Sequence, residues 1–132
     1  MPEKKATFKK EERLSSVTAI GALFGSGLSL FCFPFKLFYR ENNLEYCRVV
    51  ITVPKRQHKR AVERNLLKRR IRESYRLNKE LLSGMKGMDI AVVYLASGIC
   101  EFPDIDKSLK NALARLKENC TKDSGAPIHN TD

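Results

Sequence analysis

Histidine is scarce in this chain, and closely paired cysteine is absent. Two histidines, His58 and His129, and four cysteines, Cys32, Cys47, Cys100 and Cys120, are spread over 132 residues. No two cysteines stand in a Cys-x-x-Cys pair, and no His/Cys spacing suits a metal. A zinc module and a disulfide scaffold are therefore not expected; the cysteines read as reduced thiols packed like small apolar side chains. Long apolar runs are missing too. The longest, residues 28–39, is broken by Ser29, Pro34 and Lys36 and falls short of the roughly 20 residues that span a bilayer. The first five residues, Met-Pro-Glu-Lys-Lys, carry no apolar core, so no secretory signal is expected and the expected location is the cytoplasm. No histidine pair, His-Lys-Asp cluster or carboxylate metal cluster is visible. Asp104 and Asp106 stand two apart near a predicted helix start, where capping is their natural work. An independent nuclease would thus lack catalytic residues, and the expected set in this chain is empty.

Acid is the last shortage. Lys and Arg number 25 against 15 Asp and Glu, a formal +10 with a pI near 9.7. Such an excess favours a polyanionic partner. The length suits one domain, and 42% hydrophobic residues allow a real but small core. Residues 1–9 read as a flexible basic N-terminus, 10–120 as the folded domain and 121–132 as a disordered polar tail.

Periodicity divides the domain further. A short helix is expected around residues 13–24, where Leu14, Val17, Ile20, Leu23 and Phe24 recur at helical spacing, with Ser15 or Ser16 as cap and Gly25 and Gly27 as stop. Residues 28–40, rich in Phe and Leu, predict a strand that Pro34 places at an edge or a bulge. Glu41-Asn42-Asn43 is a turn signal, and residues 46–53 predict the second arm of a hairpin. A basic loop at 54–59 leads into a long helix over 60–82, free of Gly and Pro and stopped by Ser83-Gly84. Residues 89–96 suit a buried strand. A last helix starts near Pro103, with Ile105, Leu109, Ala112, Leu113 and Leu116 on its apolar face. The order α-β-β-α-β-α predicts an α+β two-layer sandwich, with helices on one small sheet and a βαβ crossover left open.

The long helix is the informative segment. Within residues 55–76 ten Lys or Arg face two acids, Glu63 and Glu73, so most of the excess charge sits here. Arg60, Arg64, Lys68, Arg72 and Arg76 follow each other at steps of four, which makes a slanted cationic stripe. Val62, Leu66, Leu67, Ile71, Tyr75 and Leu82 fall mostly elsewhere and are expected to pack on the sheet. Like charges at i,i+4 repel and weaken a helix. A polyanion along the stripe would remove that repulsion and release counterions. Arginine grips phosphate through a planar fork, and Asn65 adds a donor and an acceptor for a ribose hydroxyl or a base edge.

At this helix the sequence resembles the bacterial ribonuclease P protein family. The family pattern, Ala-Val-x-Arg-Asn-x-x-Lys-Arg-x-x-Arg-Glu-x-x-Arg, stands here as Ala61-Val62, Arg64-Asn65, Lys68-Arg69, Arg72-Glu73 and Arg76. Departures are Leu66 in place of the usual third residue of an Arg-Asn-Arg triplet, a glycine-free loop Gln57-His58-Lys59-Arg60, and Ile20 at a position usually held by phenylalanine. The likeness covers about residues 10–118. It implies a fold like domain 2 of ribosomal protein S5, with a left-handed βαβ crossover. It also implies a role as the RNA-binding subunit of a ribonucleoprotein endoribonuclease, which removes the 5′ leader of precursor tRNA with its catalytic site in the RNA. Magnesium in the holoenzyme would be held mainly by RNA. No membrane and no obligate protein partner are expected.

Two surfaces follow from the resemblance. Lys55, Arg56, Arg60, Arg64, Asn65, Lys68, Arg69, Arg72 and Arg76 would meet the RNA subunit. Phe24, Phe38 and Thr52 would floor a cleft between the first helix and the sheet that takes the single-stranded leader, since aromatic faces stack on unpaired bases. Core packing is the competing role for both phenylalanines. Rival readings are a ribosomal-type structural RNA binder, an independent nuclease, a membrane-active cationic helix and a DNA binder. The membrane reading needs an exposed apolar face that the helix would commit to the sheet, and the DNA reading lacks a visible dimerising element.

Overall fold

The apolar run near residue 90 becomes the strand on which the sheet is built. In the computed structural model, which describes residues 13, 14 and 17–125, α1 spans Val17–Ser26, β1 Leu28–Cys32, β2 Phe35–Glu41 and β3 Arg48–Thr52. Then come α2, Ala61–Asn78, a closing 3-10 turn at Lys79–Leu82, β4, Met88–Tyr94, and α3, Phe102–Gly125. The sheet order is β1-β2-β4-β3, with β1-β2 and β2-β4 antiparallel and β3-β4 parallel. β4 is apolar without alternation because it has a strand on each side and cover on both faces.

The sequence suggested one strand over 28–40, paired as a hairpin with 46–53, and this is corrected. The segment folds back on itself at Phe33-Pro34, where a residue without an N–H leaves no ladder bond unmade. β2 then pairs with β4, and β3 lies on the far side of β4 in parallel with it. β4 is the stronger partner for both because it brings a long apolar strand to each edge. The route from β2 to β3 must therefore cross the start of β4. There Asn42 N–H donates to Gly87 O, and Asn42 Nδ2 donates to Asp89 Oδ1 at 2.9 Å. Arg48 donates two bonds to Asp89, at 2.8 and 2.9 Å, and this raises the pKa of its guanidinium. A Cβ on Gly87 would overlap Leu44 O, Asn42 Oδ1 and Tyr46 O, so the crossing requires glycine.

α2 and α3 cover one face of the sheet. Phe35, Leu37, Ile90, Val92 and Tyr94 from the strands meet Leu67 and Ile71 of α2 and all five predicted apolar residues of α3, each 0% exposed. α2 also packs along α3: Asp106 accepts from Ser74 Oγ and Asn78 Nδ2, both at 2.8 Å. The expectation that Val62 packs on the sheet is corrected, since it is 77% exposed on the side of α2 opposite the buried Leu67, Ile71 and Tyr75. The helix expected over 60–82 ends at Asn78 and tightens into the 3-10 turn. α3 continues through Gly125, past the boundary read at residue 120.

Among the described residues α1 and Leu14 cover the other face, through Leu23 and Leu14 against Ala91, with Ile20, Phe38 and Val50 at the margin. α1 begins at Val17 and not near Arg13, because Arg13 and Leu14 run alongside β3; Leu14 N–H donates to Val49 O at 2.9 Å. Gly27 ends α1 on the sheet, where a Cβ would come within 2.5 Å of Leu23 O and 3.0 Å of Tyr39 O. The Ser15 and Ser16 cap, residues 1–12 and residues 126–132 lie outside the described residues.

Candidate nucleic-acid interface

The loop before α2 keeps its shape without glycine. His58, 2% exposed, sits against the Tyr94 ring at 5.6 Å, and its Nε2 lies 2.8 Å from Ala96 O, a contact that requires a proton on that nitrogen. Its backbone N–H returns to Pro54 O. Arg64 Nη1 donates to His58 O and Lys59 O, both at 2.9 Å. One buried ring and one guanidinium thus hold the loop, while Lys55, Arg56 and Lys59 stay exposed. Tyr94 below is itself fixed: its hydroxyl donates to Gly98 O at 2.7 Å and accepts from Cys100 N–H. Burial, with the Cys100 thiol beside it, pushes the phenol up to about 12.

The stripe of five divides by task. Arg64 clamps the loop. Arg76 pairs with Glu73, which holds that carboxyl below its usual range and raises the guanidinium. Arg60, Lys68 and Arg72 have no carboxylate partner among the described residues, and neither does Arg69. Leu67, Ile71, Ser74 and Tyr75 define the buried side of α2. At 3.6 residues per turn Asn65, Arg69 and Arg72 lie on the opposite half, with Arg69 near its centre, and Lys68 stands at the flank. Arg70 turns away and donates to Cys100 O at 2.5 Å, with Glu101 at 3.7 Å. The outward half and its flank therefore present unpaired guanidinium and ammonium groups beside one amide, an arrangement suited to a phosphate backbone.

The residues expected in a cleft come together on the opposite face of the sheet. Phe24 of α1 and Phe38 of β2 have ring centroids 4.7 Å apart at 59°, and Phe24 is 43% exposed. Neither ring belongs to the main core. Strand register puts Phe38, Ala91 and Val50 in one row across the sheet, under the edge of α1. The next row, about 7 Å along the strands, is Phe31, Lys36, Val93 and Thr52. Thr52 is half-buried at one end of that row, three residues before Lys55 of the basic loop, so the two predicted surfaces meet at the end of β3.

Sequence reasoning missed two members of this arrangement. Lys36 was read only as an interruption, yet its Nζ lies 5.1 Å from the Phe38 centroid, over the ring, in a cation–π contact. Its signal was alternation, since Lys36 sits between Phe35 and Leu37 and must face the other way. His58 was read as a lone loop residue, and nothing in its spacing marked it as the anchor.

Comparison with known proteins adds the family. A family model described as Ribonuclease P matches residues 8–117. The ribonuclease P protein component of Porphyromonas gingivalis is 32% identical over 124 residues, covering 86% of this chain and 90% of that one. That of Thermotoga maritima is 35% identical over 116 residues, covering 84% and 97%. The solved Thermotoga maritima RNase P protein superposes with a TM-score of 0.69 at 32% identity, over 79% of this chain and 96% of that one. The Staphylococcus aureus protein gives 0.69 at 26% identity, over 80% and 95%.

Proposed function

We propose a task for each surface of this molecule from one premise: the chain belongs to the bacterial ribonuclease P protein family. It is accordingly a subunit of the ribonucleoprotein endoribonuclease that processes precursor tRNA, and its partner is the ribonuclease P RNA, where catalysis resides. The outward half of α2 and the Lys55-Arg56 loop bind that RNA. Arg60, Lys68, Arg69 and Arg72 neutralise phosphates, and Asn65 reads a ribose hydroxyl or a base edge. Arg64 holds the loop and lends its charge from there, while Arg76 adds its charge at the end of the row.

The groove beside α1 takes the 5′ leader. The observation that carries this assignment is the tilted Phe24–Phe38 pair, half in water and outside the main core. A base laid against it gains stacking without demanding a sequence. Thr52 supplies a hydroxyl on the same side.

Magnesium belongs to the holoenzyme through the RNA. Among the described residues no three His, Cys, Asp or Glu side chains group to hold a metal. The part proposed for this chain is to screen closely packed phosphates. Among the described residues no helix is long and apolar enough to cross a membrane. The compartment proposed for this work is the cytoplasm. The βαβ unit β3-α2-β4 is assigned the left-handed crossover of ribosomal protein S5 domain 2, and no obligate protein partner is assigned.

Cleavage of a precursor tRNA at low magnesium tests the whole reading, with the RNA subunit alone, this protein alone and the two together. Efficient cleavage by the mixture alone is the expected result. Cleavage by the protein alone would move the catalytic site into this chain. A mixture no better than the RNA would leave a structural RNA binder. Phe38→Ala should weaken precursor tRNA relative to mature tRNA, and Arg72→Ala should weaken the RNA subunit itself.

A further inference from the structure

The groove does not end at Phe38. β1 is an edge strand of the sheet, and at its far end Phe31 is 53% exposed and Phe33 64% exposed, with centroids 6.4 Å apart. Phe31 pairs with Lys36 across the β1-β2 ladder, so it stands on the same face as Lys36, Val93 and Thr52. Four strands at about 4.8 Å spacing make this a track about 14 Å long from Thr52 to Phe31. α1 covers the neighbouring row and leaves this one open along its edge. No acidic side chain stands in either row. Arg115 of α3 reaches the same strand edge and donates to Phe31 O at 2.8 Å, which adds positive charge and occupies one free carbonyl of the edge.

Two exposed phenylalanines on an edge strand invite aggregation unless something covers them. Their setting selects the occupant. A second copy of a chain with formal charge +10 would bring like charge to a strand edge already carrying Lys36 and Arg115. A single-stranded polyanion brings the opposite charge, together with flat bases for the rings.

We propose that Phe31 and Phe33 form a second stacking platform for single-stranded RNA, joined to the Phe24–Phe38 pair by Lys36, which holds the intervening phosphate. This rests on the leader assignment above and extends it. A leader crosses the sheet from Thr52 on β3 to the β1-β2 turn, so affinity grows with leader length until the second platform is filled. Lys36 then has two states: over the Phe38 ring in the free protein, and on phosphate when RNA is bound.

Equilibrium binding to the reconstituted holoenzyme, with mature tRNA and precursors carrying leaders of increasing length, tests the proposal. The F31A/F33A double variant should bind mature tRNA and the shortest leaders as the parent does, and lose about tenfold on the longest, the scale of one stacked base. Lys36→Gln should lower the salt slope for long leaders by about one unit. Phe38→Ala should weaken leaders of every length. If Phe38→Ala behaves so while F31A/F33A matches the parent at every length, the second platform is wrong and the leader assignment stands. If Phe38→Ala is also silent, the leader assignment itself falls. Equal loss by F31A/F33A on mature tRNA, or conversion of a self-associating parent into a monomer, would give the patch to another partner and overturn the proposal. Both side chains stand in water, so unfolding should not obscure the result, and thermal melting of the variant checks this.

Discussion

On β2, neighbouring residues meet opposite fates. Phe35, Leu37 and Tyr39 are sealed beneath α2 and α3, while Lys36 and Phe38, one step along the same backbone, stay half in water beside α1. One face has two helices and nearly all of the core; among the described residues the other has one ten-residue helix and Leu14. A strand separates these roles at no cost in length, because its side chains alternate. The closed face supplies stability, and the open face is free to keep aromatic rings and a cation where a nucleic acid can reach them.

Single substitutions can break that contrast. The largest expected effect is on the closed face: Phe35→Ala should cost about 3–5 kcal/mol in denaturant unfolding, as truncating a fully buried ring does. Phe31→Ala, nearly opposite on β1 but exposed, should stay within about 0.5 kcal/mol. Equal costs would mean that the open face is core after all. Gly27→Ala joins the two faces. Its methyl would press on two backbone carbonyls, so α1 must shift, with a stability cost of about 1–3 kcal/mol, as for an overpacked site. Because Phe24 moves with α1, leader affinity should fall too, while affinity for the RNA subunit holds. Arg72→Ala should leave unfolding within about 0.5 kcal/mol and reduce the salt slope of RNA-subunit binding by about one unit.

The smallest effect is spectroscopic. Burial holds the Tyr94 phenol up to about 12, so its ionisation should appear near pH 12 in an ultraviolet titration. Because the folded state holds this proton more tightly, its contribution is complete below pH 10 and is lost as pH rises through 12. Tyr94→Phe should remove the late phase of an ultraviolet titration. It should also loosen the Gly98 to Cys100 segment that Arg70 grips.

Much of this was legible in the chain itself. Five apolar residues at helical spacing placed α3, an unbroken apolar run placed β4, and the spaced arginines with Asn65 placed the face of α2. What failed was pairing. Residues close in sequence were expected to pair as a hairpin, but the long apolar β4 offered both β2 and β3 a better neighbour, a choice no local window contains. Pro34 carried a true signal with the wrong scale, marking a turn where an edge position or a bulge was expected. Val62 misled because it is apolar: at 100° per residue it falls on the side of α2 opposite Leu67, Ile71 and Tyr75, so its position outweighs its composition. Within the site, the positive residues were visible from charge. The division of labour between Arg64, Arg70 and Arg72 was not, because it depends on which carbonyls the fold brings within reach.

The charges of α2 that lack a carboxylate partner among the described residues, Lys68, Arg69 and Arg72, have a consequence for the life of the protein in a cell. These groups repel one another until RNA arrives, so the free chain is less stable than the bound one by an amount set by RNA concentration and affinity. Added salt should therefore raise the melting temperature of the protein alone while it loosens the complex, two opposite responses from one row of charges. Chains made in excess of their RNA would spend more time open and fall first to proteases. The charge pattern that binds the RNA would thereby also match the abundance of the protein to it.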